Sequence, residues 1–200
     1  MDALATRTKI IDRAVEVAST AGLEGLTIGT LAGDLGMSKA GVLGHFGSKE
    51  ALQLAALDAA VRAFTREVPG RVRGLAPGRD RLLRLCDAWI DYLDGGRITA
   101  GGCFLTAAAA EFDGRPGAVR EAVVNASRRW LTALHDEVRA AVQAGDLPAH
   151  TDTDQLVFEL NAIALGANQA IQLHEDPTAG PRARRAMRRA LTAPARHRQG

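Results

Sequence analysis

The chain has 200 residues, of which 46% are hydrophobic but only 4% aromatic, and its formal net charge at pH 7 is +2. This length can form one large domain or two smaller ones, and a composition rich in Ala and Leu favours helices over sheets. No run of about 18 apolar residues predicts a membrane span, and residues 1–9 lack the apolar segment of a signal peptide. We therefore expect an all-α protein in the cytoplasm.

Two helices are predicted at the start of the chain. Apolar side chains within 6–21 recur at spacings of three and four residues, which places them on one face of a helix. Gly22 is expected to end this first helix. Thr27 is a suitable N-cap for a second helix, and Gly36 stops it, so the second helix is only about two turns long.

A third and a fourth helix follow directly. Ser38 can cap a short third helix that runs to about His45. Ser48 can cap a longer fourth helix, which continues until Pro69 and Gly70. Helical bundles rarely need two very short helices joined by a tight turn, whereas helix-turn-helix units are built from them.

Five more helices are predicted after residue 78, which brings the total to about nine. Their approximate limits are 82–93, 101–111, 119–145, 153–174 and 182–191. Gly95 and Gly96 are expected to stop the first of these helices, and Pro177 and Pro181 to separate the last two.

The segment 27–46 has the parts that a helix-turn-helix needs. In such a unit a short second helix, held across the first by a tight turn, enters the DNA major groove and presents its first residues to base edges. Gly36 permits the turn, Ser38 opens the recognition helix, and the small residues Ala40 and Gly41 let its backbone approach the groove closely. The residues predicted to face inward are Leu31, Ala32, Leu35 and Met37.

The stretch LAGDLGMSKAGVLGHFGSKEAL, residues 31–52, closely resembles the TetR family of transcriptional regulators. The positions that match the family pattern are Gly36, Ser38, His45, Phe46, Ser48, Lys49, Glu50 and Leu52. The resemblance rests on residues 5–64, and the rest of the chain agrees only in the number and length of its helices. It implies a DNA-binding domain at 5–64, with the helix-turn-helix at 27–46, and a ligand-binding and dimerisation domain at 78–192.

The resemblance also implies roles for individual residues in the first domain. Ser38, Lys39, Ala40 and Gly41 would lie at or near bases, and Thr27, His45 and Lys49 would hold phosphates. Hydroxyl groups, helix N-termini and ammonium groups are suitable partners for phosphate oxygens.

One position departs from the family pattern. The family usually has a tyrosine where this chain has Leu43, so an apolar contact, for example with a thymine methyl, replaces a phosphate hydrogen bond. Gly44 beside it weakens the recognition helix by about 1 kcal/mol relative to alanine. The affinity for DNA is then expected to depend more on Lys39, Lys49 and dimerisation than it does in family members that have the tyrosine.

The second domain is expected to bind a small effector that changes the separation of two DNA-reading heads. Apolar walls with a few polar groups are usual in small-molecule sites. Aromatic and polar residues of this domain form the candidate site: Trp89, Tyr92, Phe104, Phe112, Trp130, Phe158, Asn161 and Asn168. The alternatives are that the aromatic residues are core and that the polar residues belong to an interface or a solvated face.

The eighth predicted helix is suited to dimerisation. Its small residues Ala162, Ala164, Gly166, Ala167 and Ala170 allow close helix approach, and its few charges require burial. The resemblance implies that the last two long helices pair with their copies in a four-helix interface. If charge alone is considered, the seven arginines after residue 180 are an alternative site of DNA contact. Arginines along a final helix, however, more often form a solvated face.

Other classes of protein fit the sequence less well. No nucleophile-elbow, phosphate-loop or HExxH pattern is present, so we predict no enzymatic activity, no cofactor and no metal site. Cys86 and Cys103, the latter in the segment GGCF, are expected to be buried free thiols. The prediction is thus a homodimeric, ligand-responsive repressor that binds a palindromic operator in double-stranded DNA. The alternatives are a structural dimer that binds DNA without sequence preference, or an enzyme that uses the C-terminal pocket.

Overall fold

The computed structural model describes residues 3–95 and 101–192. Within these ranges the chain forms nine α-helices and a short 3-10 helix, with no strand. The helices are α1 (Ala3–Gly25), α2 (Ile28–Leu35), α3 (Lys39–Phe46), α4 (Lys49–Glu67), the 3-10 helix (Pro69–Val72), α5 (Arg79–Asp94), α6 (Phe104–Phe112), α7 (Ala118–Gln143), α8 (Thr153–Gln172) and α9 (Ala179–Ala190). The predicted all-α fold with about nine helices is confirmed, and no described helix is long and apolar enough to cross a membrane.

The predicted helix caps are present in the structure. The side-chain oxygen of Thr27 accepts a hydrogen bond from the backbone N–H of Thr30, and that of Ser38 accepts one from Gly41, both at 3.0 Å. Gly36 ends α2 in the left-handed conformation, with φ 63°. Each of these groups satisfies backbone atoms that a helix end leaves without an internal partner.

Several predicted boundaries differ from the structure by three residues. Helix α1 begins at Ala3 and continues past a break at Gly22 to Gly25, and α5 begins at Arg79. Helix α9 begins at Ala179, so Pro181 lies inside its first turn instead of preceding the helix. Proline is tolerated there because the first N–H groups of a helix have no internal acceptor. Helix α6 begins at Phe104, three residues after the predicted start. Gly96, predicted to help stop α5, and the last two arginines lie outside the described residues.

The first of two compact units contains α1, α2, α3 and most of α4, together with α6 and the start of α7. Their buried side chains form one hydrophobic cluster, which includes Leu23, Leu31 and Val42 from the N-terminal helices and Phe104 and Phe112 from α6. The helix-turn-helix therefore shares its core with a helix that lies far from it in the sequence.

The second unit contains α5, α8, α9 and the rest of α7. Its largest fully buried side chains include Leu85, Ile90 and Leu160. Arg184 of α9 joins α9 to α5, because its guanidinium donates to the carbonyl of Asp87 at 2.8 Å and to the carboxylate of Asp91 at 2.7 Å. Part of the arginine-rich stretch thus forms ion pairs inside this unit.

Candidate nucleic-acid interface

Helix α3 is anchored by one side chain and leaves most others at the surface. Val42 has no solvent exposure, whereas Leu43 on the next position is 42% exposed. The predicted DNA contacts that are exposed are Thr27, Ser38, Lys39, Ala40 and Leu43, and those that are half-buried are Gly41, His45 and Lys49. Most side chains in the N-terminal half of α3 therefore lie at the surface.

Lys39 lies beside the start of α2. A Cβ atom added to Gly29 would be 3.3 Å from Cε of Lys39, 3.7 Å from its Nζ and 3.8 Å from Oγ1 of Thr27. The ammonium of Lys39 and the capping hydroxyl of Thr27 therefore occupy the same corner between α2 and α3. An ammonium and a hydroxyl at a helix N-terminus are groups that bind phosphate or base oxygens.

The far end of α3 is held by a contact that sequence reasoning missed. The guanidinium of Arg7 on α1 lies 5.0 Å from the centre of the Phe46 ring, at cation–π distance. The His45 ring lies 6.4 Å from the same Phe46 ring. No local pattern predicts the Arg7 contact, because the two residues are far apart in the sequence.

Lys49, predicted to hold a phosphate, is engaged within the protein. Its Nζ donates to the backbone carbonyl of Glu24 at 2.8 Å and to the carboxylate of Glu24 at 3.2 Å. Buried Gln53 on the same helix donates to the carbonyl of Leu23 at 2.7 Å and to the Glu24 carboxylate at 3.3 Å. Hydrogen bonds from Lys49 and Gln53 hold the pKa of the Glu24 carboxyl below its usual value, so Glu24 is ionised at neutral pH.

The segment between α1 and α2 is also held from α6. Both carboxylate oxygens of Glu111 accept backbone N–H groups, from Leu23 and from Glu24, each at 2.8 Å. Gly22 just before them has φ 75° and ψ 166°, and a Cβ there would lie 2.9 Å from the Glu111 carboxylate. The carboxylate of Glu111 thus satisfies the backbone N–H groups left without a helical acceptor by this break in α1, a role that the sequence did not predict.

Replacing Gly44 by alanine is expected to stabilise the free protein by about 0.5–1 kcal/mol. Gly44 lies within α3, and nothing lies within 4 Å of a Cβ atom added there. Alanine therefore gains helix propensity without a clash. The measurement is urea unfolding followed by circular dichroism.

The matched control for Gly44 is Gly36, where a Cβ would also meet open space. Gly36→Ala should destabilise the protein, because alanine is strained at φ 63°. A loss of stability in Gly44→Ala comparable to that in Gly36→Ala would contradict the prediction.

The candidate effector residues are distributed over both units. Trp89 and Trp130 meet edge to face in the second unit, with ring centres 4.7 Å apart. Phe104 and Phe112 belong to the core of the first unit. Phe158 on α8 is 68% exposed. The remaining candidates are half-buried residues of α5 and α8, namely Tyr92, Asn161 and Asn168.

The two cysteines, Cys86 and Cys103, are buried and form no disulfide with each other. Burial raises the pKa of the Cys86 thiol to about 12, so this thiol is protonated and unreactive at neutral pH. In the described part of the chain, no three His, Cys, Asp or Glu side chains are placed to hold a metal ion.

Two family models match this sequence. Residues 10–56 match the model for bacterial regulatory proteins of the tetR family, and residues 78–187 match the model for the tetracyclin repressor-like C-terminal domain. No curated protein matches the sequence.

Solved structures of transcriptional regulators share the fold. A TetR regulator from Chloroflexus aurantiacus has a TM-score of 0.87 and 24% identity, over 95% of this chain and 96% of that one. A TetR-family regulator from Cytophaga hutchinsonii has a TM-score of 0.85 and 22% identity, over 94% of each chain. AibR in complex with isovaleryl coenzyme A and operator DNA has a TM-score of 0.72 and 21% identity, over 94% of this chain and 98% of that one. Because the C-terminal model alone spans more than half of the sequence and the N-terminal model covers the helix-turn-helix, the chain belongs to the TetR family of bacterial regulatory proteins.

Proposed function

We propose that this chain is a ligand-responsive repressor that acts in the cytoplasm as a homodimer on a palindromic operator. Membership of the family makes it a DNA-binding transcription regulator and not an enzyme. The observation that carries the proposal is the placement of α3, whose Val42 is fully buried while Lys39, Ala40 and Leu43 remain exposed. A short helix held in this way can enter a major groove.

The proposed contacts divide into two groups. Ser38, Lys39, Ala40, Gly41 and Leu43 lie at or near bases, and Thr27, His45 and Lys49 hold phosphates. The corner formed by Lys39 and Thr27 supports this division, because it places a cation and a hydroxyl at the start of the recognition helix. Leu43 supplies an apolar surface for a thymine methyl.

The proposed dimer interface lies on α8, within the domain at 78–192. Phe158 and Leu165 are exposed apolar residues of α8, and Leu173, also exposed, directly follows this helix. The spacing of seven residues places Phe158 and Leu165 on one face of α8. Gly166, where a Cβ would meet nothing within 4 Å in one protomer, is also exposed on this helix. A second copy of this face would cover the apolar surface in an isologous contact.

The effector is proposed to bind in the second domain. AibR holds both isovaleryl coenzyme A and operator DNA in its solved complex, so a protein of this fold can bind both kinds of partner. Helices α5 and α8 pack against each other and carry the half-buried candidates Tyr92, Asn161 and Asn168, and Trp89 is on α5. With Trp130, these residues provide the apolar surface and the few polar groups of a small-molecule site. We place Phe104, Phe112 and Phe158 outside this set, since they are core or surface.

The test begins with selection of operators from a pool of randomised duplexes, followed by titration of the best duplex by fluorescence anisotropy. Wild-type protein should bind a palindromic duplex as a dimer, far more tightly than a random duplex. Lys39→Ala should lose about 1–3 kcal/mol of binding free energy per half-site, because Lys39 reads a base edge.

The control is Lys9→Ala, which removes the same charge from an exposed position on α1 outside 27–46. This variant should retain most of the operator affinity. If no duplex is enriched, or if all variants bind any duplex equally and with strong salt dependence, the protein is instead a non-specific structural dimer.

A further inference from the structure

Lys49 is a cation at the proposed DNA surface that already has an anionic partner. Its Nζ contacts both the main chain and the carboxylate of Glu24. The two side chains are 41% and 47% exposed, so water and ions reach the pair. Exposed ion pairs have small net stabilities, so a second anion can replace the Glu24 carboxylate as the partner of Lys49.

Glu24 is positioned by contacts other than the one with Lys49. Its backbone N–H donates to Glu111 at 2.8 Å, and its carboxylate accepts from Gln53 at 3.3 Å. These contacts come from α6 and α4, and they keep the carboxylate at the start of α4. If the Lys49 ammonium binds another anion, the Glu24 carboxylate therefore keeps its position at the start of α4.

The start of α4 is itself favourable for a phosphate. Ser48 caps the helix by accepting the N–H of Ala51 at 3.0 Å, and Lys49 is the first helical residue. The positive end of a helix attracts anions. A DNA phosphate arriving here would meet the helix end and Lys49, but also the negative charge of Glu24.

We propose that Glu24 competes with a DNA phosphate for the ammonium of Lys49 and thereby lowers the affinity of the protein for DNA. This inference rests on the proposed function, which places Lys49 at a phosphate. In the free protein Lys49 binds Glu24, and in the complex it binds the phosphate while the Glu24 carboxylate loses the ammonium and keeps the hydrogen bond from Gln53. Glu24 thus lowers the affinity for DNA to the same extent for every DNA sequence, because phosphate contacts carry no base information.

The competition predicts the result of Glu24→Gln. Glutamine has nearly the same shape and still accepts a hydrogen bond from Gln53, but it no longer holds Lys49 by charge. Each protomer should bind DNA about 1.5- to 5-fold more tightly, which is about 2- to 25-fold for a dimer. The gain should be the same for the operator and for a random duplex.

The salt dependence should change in parallel. Each phosphate neutralised adds about −0.9 to the slope of log affinity against log salt concentration. In the wild-type complex the Glu24 carboxylate, left without Lys49, takes up a cation and so offsets a cation released from the DNA. Glu24→Gln removes this uptake and should steepen the slope, by up to about 1.8 for a dimer. The measurement is anisotropy titration of full-length protein at several salt concentrations, with circular dichroism melts to confirm that each variant is folded.

A double-mutant cycle with Lys49→Met separates competition from a general charge effect. Competition requires Glu24→Gln to give no gain in the Lys49→Met background. The matched control is Glu50→Gln, which removes a charge one residue from Lys49 and should have the same effect with or without the lysine.

The proposal is overturned if the gain from Glu24→Gln persists in the Lys49→Met background, or if Glu24→Gln weakens binding. It is also overturned if Lys49→Met changes neither affinity nor salt slope in the Glu24→Gln background. In each of these cases the wild-type protein still selects an operator. Failure of the proposed function would differ, since the wild-type protein would then select none.

Discussion

Gly101→Ala is expected to destabilise the first unit by about 3 kcal/mol. A Cβ atom added to Gly101 would lie 1.6 Å from the carbonyl oxygen of Ser19 and 2.6 Å from its carbonyl carbon. Both atoms belong to the backbone of α1, and Ser19 is only 8% exposed, so the clash cannot be relieved by rotating a side chain. Overpacking of a core commonly costs about 1–3 kcal/mol, and this clash lies at the upper end.

Thermal unfolding followed by circular dichroism measures this effect, and the melting temperature should fall by about 6–12 °C for a chain of this size. The control is Gly114→Ala, where a Cβ would meet nothing within 4 Å. If the two variants melt at the same temperature, α1 and Gly101, three residues before α6, do not approach as closely as the structure shows. Operator affinity of Gly101→Ala should fall too, because α1 shares a core with the recognition helix.

The segment GGCF illustrates what sequence reasoning captures and what it misses. Cys103 is buried and outside any disulfide, as predicted, because cysteine is commonly buried and the sequence has no disulfide framework. The reason for the glycine at 101 could not be predicted. It lies in a contact with Ser19, and a contact between distant parts of a chain leaves no periodic pattern.

Local signals predict the helix-turn-helix well. A cap such as Thr27 or Ser38 acts on an N–H three residues later, so the residues that make the contact are neighbours in the sequence. Lys49 shows the limit of such signals. Its position matches the family pattern, but its contact with Glu24 depends on how α4 packs against the end of α1.

The candidate effector site is less predictable for a related reason. Apolar periodicity shows that a side chain faces away from water, but it does not distinguish a core, a ligand site and an interface. The sequence groups Phe112 with Trp130, yet Phe112 packs in the core of the first unit and Trp130 contacts Trp89 in the second. Phe158 belongs to neither core and is exposed.

Leu165→Asp is expected to separate the dimer into monomers. Leu165 is 43% exposed in one protomer and lies between Phe158 on α8 and Leu173 directly after this helix, both 68% exposed. In an isologous contact the substitution introduces two carboxylates into one apolar interface. An unpaired charge buried in this way costs about 3–5 kcal/mol, so the dissociation constant of the dimer should rise more than about 100-fold. Analytical ultracentrifugation over a range of protein concentrations measures this change.

The loss of dimerisation should also weaken operator binding, because a monomer contacts only one half-site of a palindrome. The control is Leu75→Asp, which changes a leucine of similar exposure, 39%, outside α8. It should leave both the dimer and its operator affinity unchanged. If Leu165→Asp still forms a dimer at the protein concentrations at which the wild type does, the exposed face of α8 is not the interface. A different surface must then bring the two recognition helices together. If the Leu165→Asp variant is monomeric yet binds the operator as tightly as the wild type, one dimer does not read two half-sites. This result would contradict the proposal of a palindromic operator.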